Sequence, residues 1–149
     1  METTTVLASN ILAAIFVNLK RQCEKRQLFM RAGYNEFQHI FHELLQDPEF
    51  QYLQNYFVFS DRGPVPFSLS LQDALVKLMC AGMICWPDFQ ELIVMRLNPS
   101  AEDWYDKVLT ANTERRLPNQ DIITIQKIAR RIAAIWPELI VDRPHLTNY

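Results

Sequence analysis

Apolar side chains recur at spacings of three and four residues in several separate stretches of this chain, and this repeat constrains the fold more than any other feature of the sequence. A stripe with a period of 3.6 residues is what one face of an α-helix buries. The pattern predicts helices over five stretches: around 11–19, over 34–46, over 70–81, from Asn98-Pro99 onward, and over 118–136. Pro48 and Pro137 end two of them, because the residue before a proline is disfavoured in the helical region.

Shorter apolar runs between these stretches predict strands. Residues 52–59 contain four aromatic side chains and Val58, which favours a short strand. Residues 83–86 and 91–97 flank a Pro87-Asp88 turn and predict a β-hairpin. Before the hairpin, Ser70 and Asp73 have the spacing of a helix N-terminal capping box, and Gly82 lies where a C-terminal capping glycine belongs.

The order of these elements predicts a mainly α fold with a minor α+β character. Three helices followed by a hairpin indicate a winged-helix-like helical core with a short β-hairpin and additional N- and C-terminal helices. We expect a single domain over 1–149, with the winged-helix-like part over about 34–110 and a helical C-terminal extension over about 118–137. A chain of 149 residues is long enough to bury a core without disulfides.

The middle of the chain carries a family resemblance. An aromatic run over 57–65 ends in Gly63-Pro64, a leucine-spaced helix follows over 71–78, and Gly82-Met-Ile84 comes next. This arrangement resembles the Panacea-type (SocA-like) antitoxins and related small winged-helix-like proteins of bacteria and phages. The resemblance covers roughly residues 52–110. It implies a non-enzymatic role in binding a toxin or another protein, or in regulation on DNA, and it implies no catalytic residue.

Motifs that carry chemistry are scarce in the sequence. Three glycines in the whole chain exclude a glycine-rich phosphate-binding loop, and no GxSxG nucleophile motif occurs. The strongest candidate metal ligands are Glu36, His39, His42 and Glu43, but the two histidines lie opposite the apolar stripe of their helix. We therefore predict that the protein is not an enzyme, binds no metal and requires no cofactor.

Outward positions of the third helix and several cations are the candidate contacts for a partner. A winged helix directs the outer side chains of its third helix at the partner, and here that face has one lysine and one aspartate. Such a face suits protein better than phosphates, although a core position for its small residues in a different packing is an equal alternative. The candidate contacts, to protein or to nucleic acid, are Arg62, Gln72, Val76, Lys77, Arg96, Lys127, Arg130 and Arg131.

Composition sets the expected partners and compartment. A net charge of −2 gives no general affinity for nucleic acid, although the segments 20–31 and 114–131 are locally basic. The cations of the last helix also have a purely structural interpretation, since they suit the negative end of the helix dipole. An antitoxin- or inhibitor-like protein that binds another protein is our first hypothesis, and a DNA-binding winged-helix transcriptional regulator, as a homodimer, is the alternative.

The cysteines and the longest apolar run bear on localisation. Cys23, Cys80 and Cys85 are an odd and sparse set, which predicts reduced and mostly buried thiols in the cytoplasm. The apolar run over 6–17 is shorter than the roughly 20 residues that a membrane-spanning helix needs. We therefore predict a core helix there and no membrane partner.

Overall fold

The computed structural model describes residues 7–25, 27–31, 34–60, 63, 66–85 and 94–141, and these form a mainly α fold with a small antiparallel sheet. The α-helices are α1 (Ala8–Gln22), α2 (Tyr34–Leu45), α3 (Leu69–Cys80), α4 (Pro99–Trp104) and α5 (Asn119–Ile135). The strands are β1 (Phe29–Arg31), β2 (Ile84–Cys85), β3 (Val94–Leu97) and β4 (Ile140–Val141). The predicted fold class is confirmed, whereas the turn predicted at Pro87-Asp88 lies outside the described residues.

Helix α1 is the centre of the molecule. Every side chain from Ile11 to Leu19 is buried, which is the mark of a helix that other elements surround on all sides. Its most extensive contacts are with α5 and α3. Helix α5 buries Ile125, Ile128, Ala129 and Ile132. The helix predicted as a C-terminal extension is therefore an integral part of the core.

The sheet has the strand order β2-β3-β1-β4 within the described residues, and its three strand pairings are antiparallel. Pairing of Ile84 with Leu97 and of Cys85 with Arg96 confirms the predicted hairpin strands. The sequence analysis did not identify β1 and β4, because strands of three and two residues are too short to show an alternating pattern.

The strand predicted over 52–59 is wrong. A 3-10 helix, Pro48–Asn55, occupies the first half of that segment, and Asp47 caps it by accepting a hydrogen bond from the backbone N–H of Glu49 at 2.9 Å. Phe50, Leu53 and Phe57 are buried, at spacings of three and four residues. The segment thus follows the helical period, and its high aromatic content misled the prediction.

The C-terminus of α3 and the N-terminus of α4 have the capping residues that the sequence predicts. Gly82, which follows α3, has φ of +74°, and the Met83 N–H donates to the Leu78 carbonyl at 2.9 Å, the long bond of a Schellman motif. This confirms the predicted capping glycine. The side chain of Asn98 accepts from the Ser100 N–H at 3.1 Å and Pro99 follows it, so the predicted start of α4 is confirmed as well. A five-residue π-helical segment, Tyr105–Leu109, continues α4.

Candidate protein-interaction surface

The outward side of α3 carries apolar side chains that the core does not use. We call the set Leu69, Gln72, Asp73, Val76, Lys77 and Cys80 the α3 face; these residues follow helical spacing along one side of the helix, opposite the buried Leu71, Leu75 and Leu78. Leu69 is 62% exposed and Val76 is 39% exposed. Gln72 is half-buried, whereas Asp73, Lys77 and Cys80 are exposed.

Two further apolar side chains belong to the segments that lead into α3. Val58 is 71% exposed and Phe67 is 42% exposed. The backbone N–H of Val58 donates to the hydroxyl oxygen of Ser70 at 3.3 Å, which ties this segment to the first turn of α3. Phe67 pairs with Ser60 in an isolated antiparallel bridge. Leu69 and the segments that lead into α3 therefore place three exposed apolar side chains near the start of this helix.

A buried polar contact fixes where this surface begins. The side-chain amide of Gln38, in α2, donates to the Ser68 carbonyl at 2.8 Å and accepts from the Ser68 N–H at 2.7 Å. The hydroxyl of Ser68 accepts from the Leu71 N–H at 3.2 Å and caps α3. The cap predicted at Ser70 is thus two residues too late, because Gln38 holds Ser68 in the capping position.

Two of the three cations predicted as contacts on the last helix, Lys127 and Arg131, form ion pairs with carboxylates of the same chain. Arg131 Nη1 donates to Asp47 Oδ2 at 2.7 Å, and its guanidinium carbon lies 5.0 Å from the ring centre of Phe50. Lys127 Nζ lies 3.6 Å from Glu49 Oε1. The hydrogen bond from the Glu49 N–H, together with Arg131, holds the pKa of Asp47 below its ordinary value. The structure therefore gives Lys127 and Arg131 a role in fastening α5 to the 3-10 helix.

A second ion-pair cluster engages the basic end of α1. Lys20 Nζ lies 2.7 Å from Glu102 Oε2, and Arg21 donates to Glu102 at 2.9 Å and to Asp106 at 2.8 Å. The hydrogen bond from Lys20 is the main reason that the pKa of Glu102 is below its ordinary value. Part of the basic segment 20–31 thus contacts carboxylates of α4 and the π-helical segment.

The remaining candidate cations are distributed over the surface. Arg96 is exposed on the outer side of the sheet, where it is aligned with Cys85 on β2 and Phe29 on β1. Arg130 is exposed on α5, and Arg62 lies outside the described residues. Of the eight candidates, the structure thus brings Gln72, Val76 and Lys77 together on one face and leaves Arg96 and Arg130 on separate elements.

The residues considered for chemistry do not assemble a site. In the described ranges, no group of three or more His, Cys, Asp or Glu side chains is placed to hold a metal ion. His42 packs edge-on against Phe59, with ring centres 5.3 Å apart. Cys23, Cys80 and Cys85 are free thiols, but Cys80 and Cys85 are exposed, so the prediction of mostly buried cysteines is wrong. Cys80 is on the outward side of α3, and Cys85 alternates with the buried Ile84.

Leu69, Val58 and Phe67 are the surface residues that the sequence analysis missed. Leu69 lies off the apolar stripe of α3. The helical period of the sequence therefore places this apolar side chain on the polar side of the helix, which is a signal of a contact surface. Val58 and Phe67 gave no such signal, because their exposure depends on the 3-10 helix and the Ser60–Phe67 bridge.

Comparisons of this chain with protein-family models, with curated proteins and with solved structures found no match. Among the helices of the described residues, none has both the length and the apolar character to cross a membrane.

Proposed function

We propose that this protein is a non-enzymatic protein-interaction module, antitoxin- or inhibitor-like, that acts in the cytoplasm of a bacterium or its phage and contacts its partner through the α3 face. The observation that carries the proposal is the exposure of Leu69 and Val76 on a helix whose other side is core. Burying a fully exposed apolar side chain contributes about 1.5–3 kcal/mol, and covering the exposed parts of Leu69 and Val76 contributes roughly half of that for each.

Two features of the same surface support protein rather than nucleic acid as the partner. Asp73 and Lys77 balance each other in charge, so the α3 face offers no net attraction to phosphates. The contact between Gln38 and Ser68 fixes the first turn of α3, and a pre-organised surface loses less entropy on binding. The resemblance to Panacea-type antitoxins agrees with such a role and makes a bacterial toxin or other target the expected partner.

The test compares two substitutions of equal chemistry on different helices. Leu69→Asp places a charge on the α3 face, whereas Ile123→Asp places it on α5, where Ile123 is 44% exposed. Immobilised wild-type protein and both variants are exposed to bacterial extract, and captured proteins are quantified by mass spectrometry. We expect a protein that wild type and Ile123→Asp retain and Leu69→Asp loses at least tenfold. Equal capture by all three proteins would contradict the proposal.

A DNA-binding winged-helix transcriptional regulator is the second candidate. It is favoured by the position of the β2–β3 hairpin directly after α3 and by exposed Arg96 on that hairpin. Against it, residues 46–68 separate α2 from α3, whereas the turn of a helix-turn-helix is three or four residues long.

Fluorescence anisotropy with a mixed-sequence duplex at about 50 and 200 mM salt tests the second candidate. Binding that weakens by about a hundredfold or more between these salt concentrations, and that Arg96→Glu abolishes, would favour the regulator. We expect no binding at the lower salt concentration.

A further inference from the structure

The α3 face has the properties of a self-complementary surface. A twofold axis that relates two antiparallel helices brings the same flank of each helix together with opposite chain direction. On α3, Asp73 and Lys77 lie on the same flank, and Val76 is beside them near the middle of the helix. Residues 73 and 77 are equally distant from residue 75. An axis at the level of residue 75 therefore places each aspartate opposite the lysine of the other copy.

Side-chain sizes fit the same arrangement. The axis that pairs 73 with 77 pairs residue 69 with residue 81, so the exposed Leu69 of one copy meets Cys80 and Ala81 of the other. Both are small, and Gly82 follows them with no heavy atom within 4 Å of a Cβ built on it. The two copies of Val76 approach each other at the centre, because the axis lies one residue away at a helical rise of about 1.5 Å.

Asp73 and Lys77 form no ion pair with the described residues of one chain, whereas several other charged side chains on the surface do. Lys20, Arg21, Lys107, Lys127 and Arg131 each lie within 4 Å of a carboxylate. Within the residues that the structure describes, neither Asp73 nor Lys77 forms such a pair, although they are four residues apart on one helix. Asp103 and Lys107, at the same spacing, do form one at 3.1 Å.

We propose that the partner of the α3 face is a second copy of this chain, paired antiparallel through α3 about a twofold axis at the level of residue 75. The inference rests on the proposed function, since it identifies the partner of the same surface. In the pair, Leu69 is covered by Cys80 and Ala81 of the second copy, Val76 contacts its equivalent, and Asp73 forms two symmetric ion pairs with Lys77. A target protein that binds the α3 face therefore competes with the second copy for it.

Charge exchange tests the register of the pair. Sedimentation equilibrium of the full chain at about 5–500 μM measures the dissociation constant of wild type, Asp73→Lys, Lys77→Asp and the double variant. Each single substitution replaces two attractive contacts with two like-charge contacts, and we expect it to raise the dissociation constant by about tenfold or more. The double variant restores both ion pairs with reversed polarity and returns the dissociation constant to within about threefold of wild type.

Asp103 and Lys107 provide the matched control. They form a pair at the same spacing on the segment after Asn98, away from α3, so Asp103→Lys, Lys107→Asp and their double variant leave the dissociation constant unchanged. Circular dichroism of all variants verifies that the helices are intact, which these surface substitutions preserve.

Three results would overturn the inference: a monomer over the whole concentration range, a dimer that the single charge substitutions do not weaken, or a double variant that fails to recover. If the chain is a monomer but Leu69→Asp still loses a protein that Ile123→Asp retains, only self-pairing fails and the proposed function stands. If neither measurement responds to the α3 face, both fail.

Discussion

At the scale of single residues, the side chains that decide the structure are polar groups whose partners lie far away in the chain. The side chain of Gln38 binds both the N–H and the carbonyl of Ser68, and this contact determines where α3 begins. Arg131 reaches Asp47 across the molecule. Neither pair leaves a local pattern in the sequence, which is why the cap at Ser68 and the internal role of Arg131 were not predicted.

We expect Gln38→Ala to destabilise the protein by about 2–4 kcal/mol. The substitution removes two hydrogen bonds and leaves the buried N–H and carbonyl of Ser68 without partners, and each unsatisfied group costs about 1–3 kcal/mol. Urea denaturation followed by circular dichroism measures the free energy of unfolding. Gln126→Ala, at an exposed glutamine of α5, is the control and changes it by about 0.5 kcal/mol or less. A loss below about 1 kcal/mol for Gln38→Ala would contradict this role.

At the scale of elements, the periodicity of apolar residues predicts long helices and does not predict short strands. Helices α2, α3 and α5 span three or more turns each, so their apolar stripes were visible and their bounds were predicted within a few residues. Strands β1 and β4 form by pairing with strands that are distant in the sequence, and two or three residues are too few for an alternating pattern to predict them. After Asp47 the error is of another kind. The aromatic residues there favour a strand by type, but their buried members follow a helical spacing and the chain forms a 3-10 helix.

The contact of α5 with that 3-10 helix predicts sensitivity to acid. Because the folded-state pKa of Asp47 lies below its ordinary value, its ionised form contributes stability above the ordinary pKa, and this contribution is lost as the pH falls through the folded-state pKa. We expect Asp47→Asn to melt below wild type at pH 7, because the asparagine keeps the cap and loses the charge. The two melting temperatures converge below about pH 4.

Thermal melts from pH 7 to pH 2 measure this difference. Glu138→Gln, at an exposed carboxylate that forms no ion pair in the described part of the chain, serves as the control. A difference between wild type and Asp47→Asn that is constant over the pH range would show that the ionised carboxylate of Asp47, which accepts from the Glu49 N–H and from Arg131, contributes no stability.

At the scale of the whole molecule, α5 is part of the same hydrophobic core as α1, and substitutions on its two sides test this. Ile128 is 0% exposed and packs within the cluster that includes α1, whereas Ile123 on the same helix is largely at the surface. We expect Ile128→Ala to cost about 2–5 kcal/mol in the free energy of unfolding and Ile123→Ala to cost less than about 1 kcal/mol. Denaturant titration measures both values. Similar small losses for both would make α5 the extension that the sequence suggested.

The position of α1 at the centre of the core has a consequence for how the chain is made. Helix α1 is translated before α3 and α5, which pack against it, and α5 follows about a hundred residues later. At about 5–20 residues per second, the apolar residues from Ile11 to Val17 remain for several seconds without the α5 residues that bury them. We therefore expect the yield of this protein to depend on the rate of its synthesis and on chaperones more than the stability of the finished fold suggests.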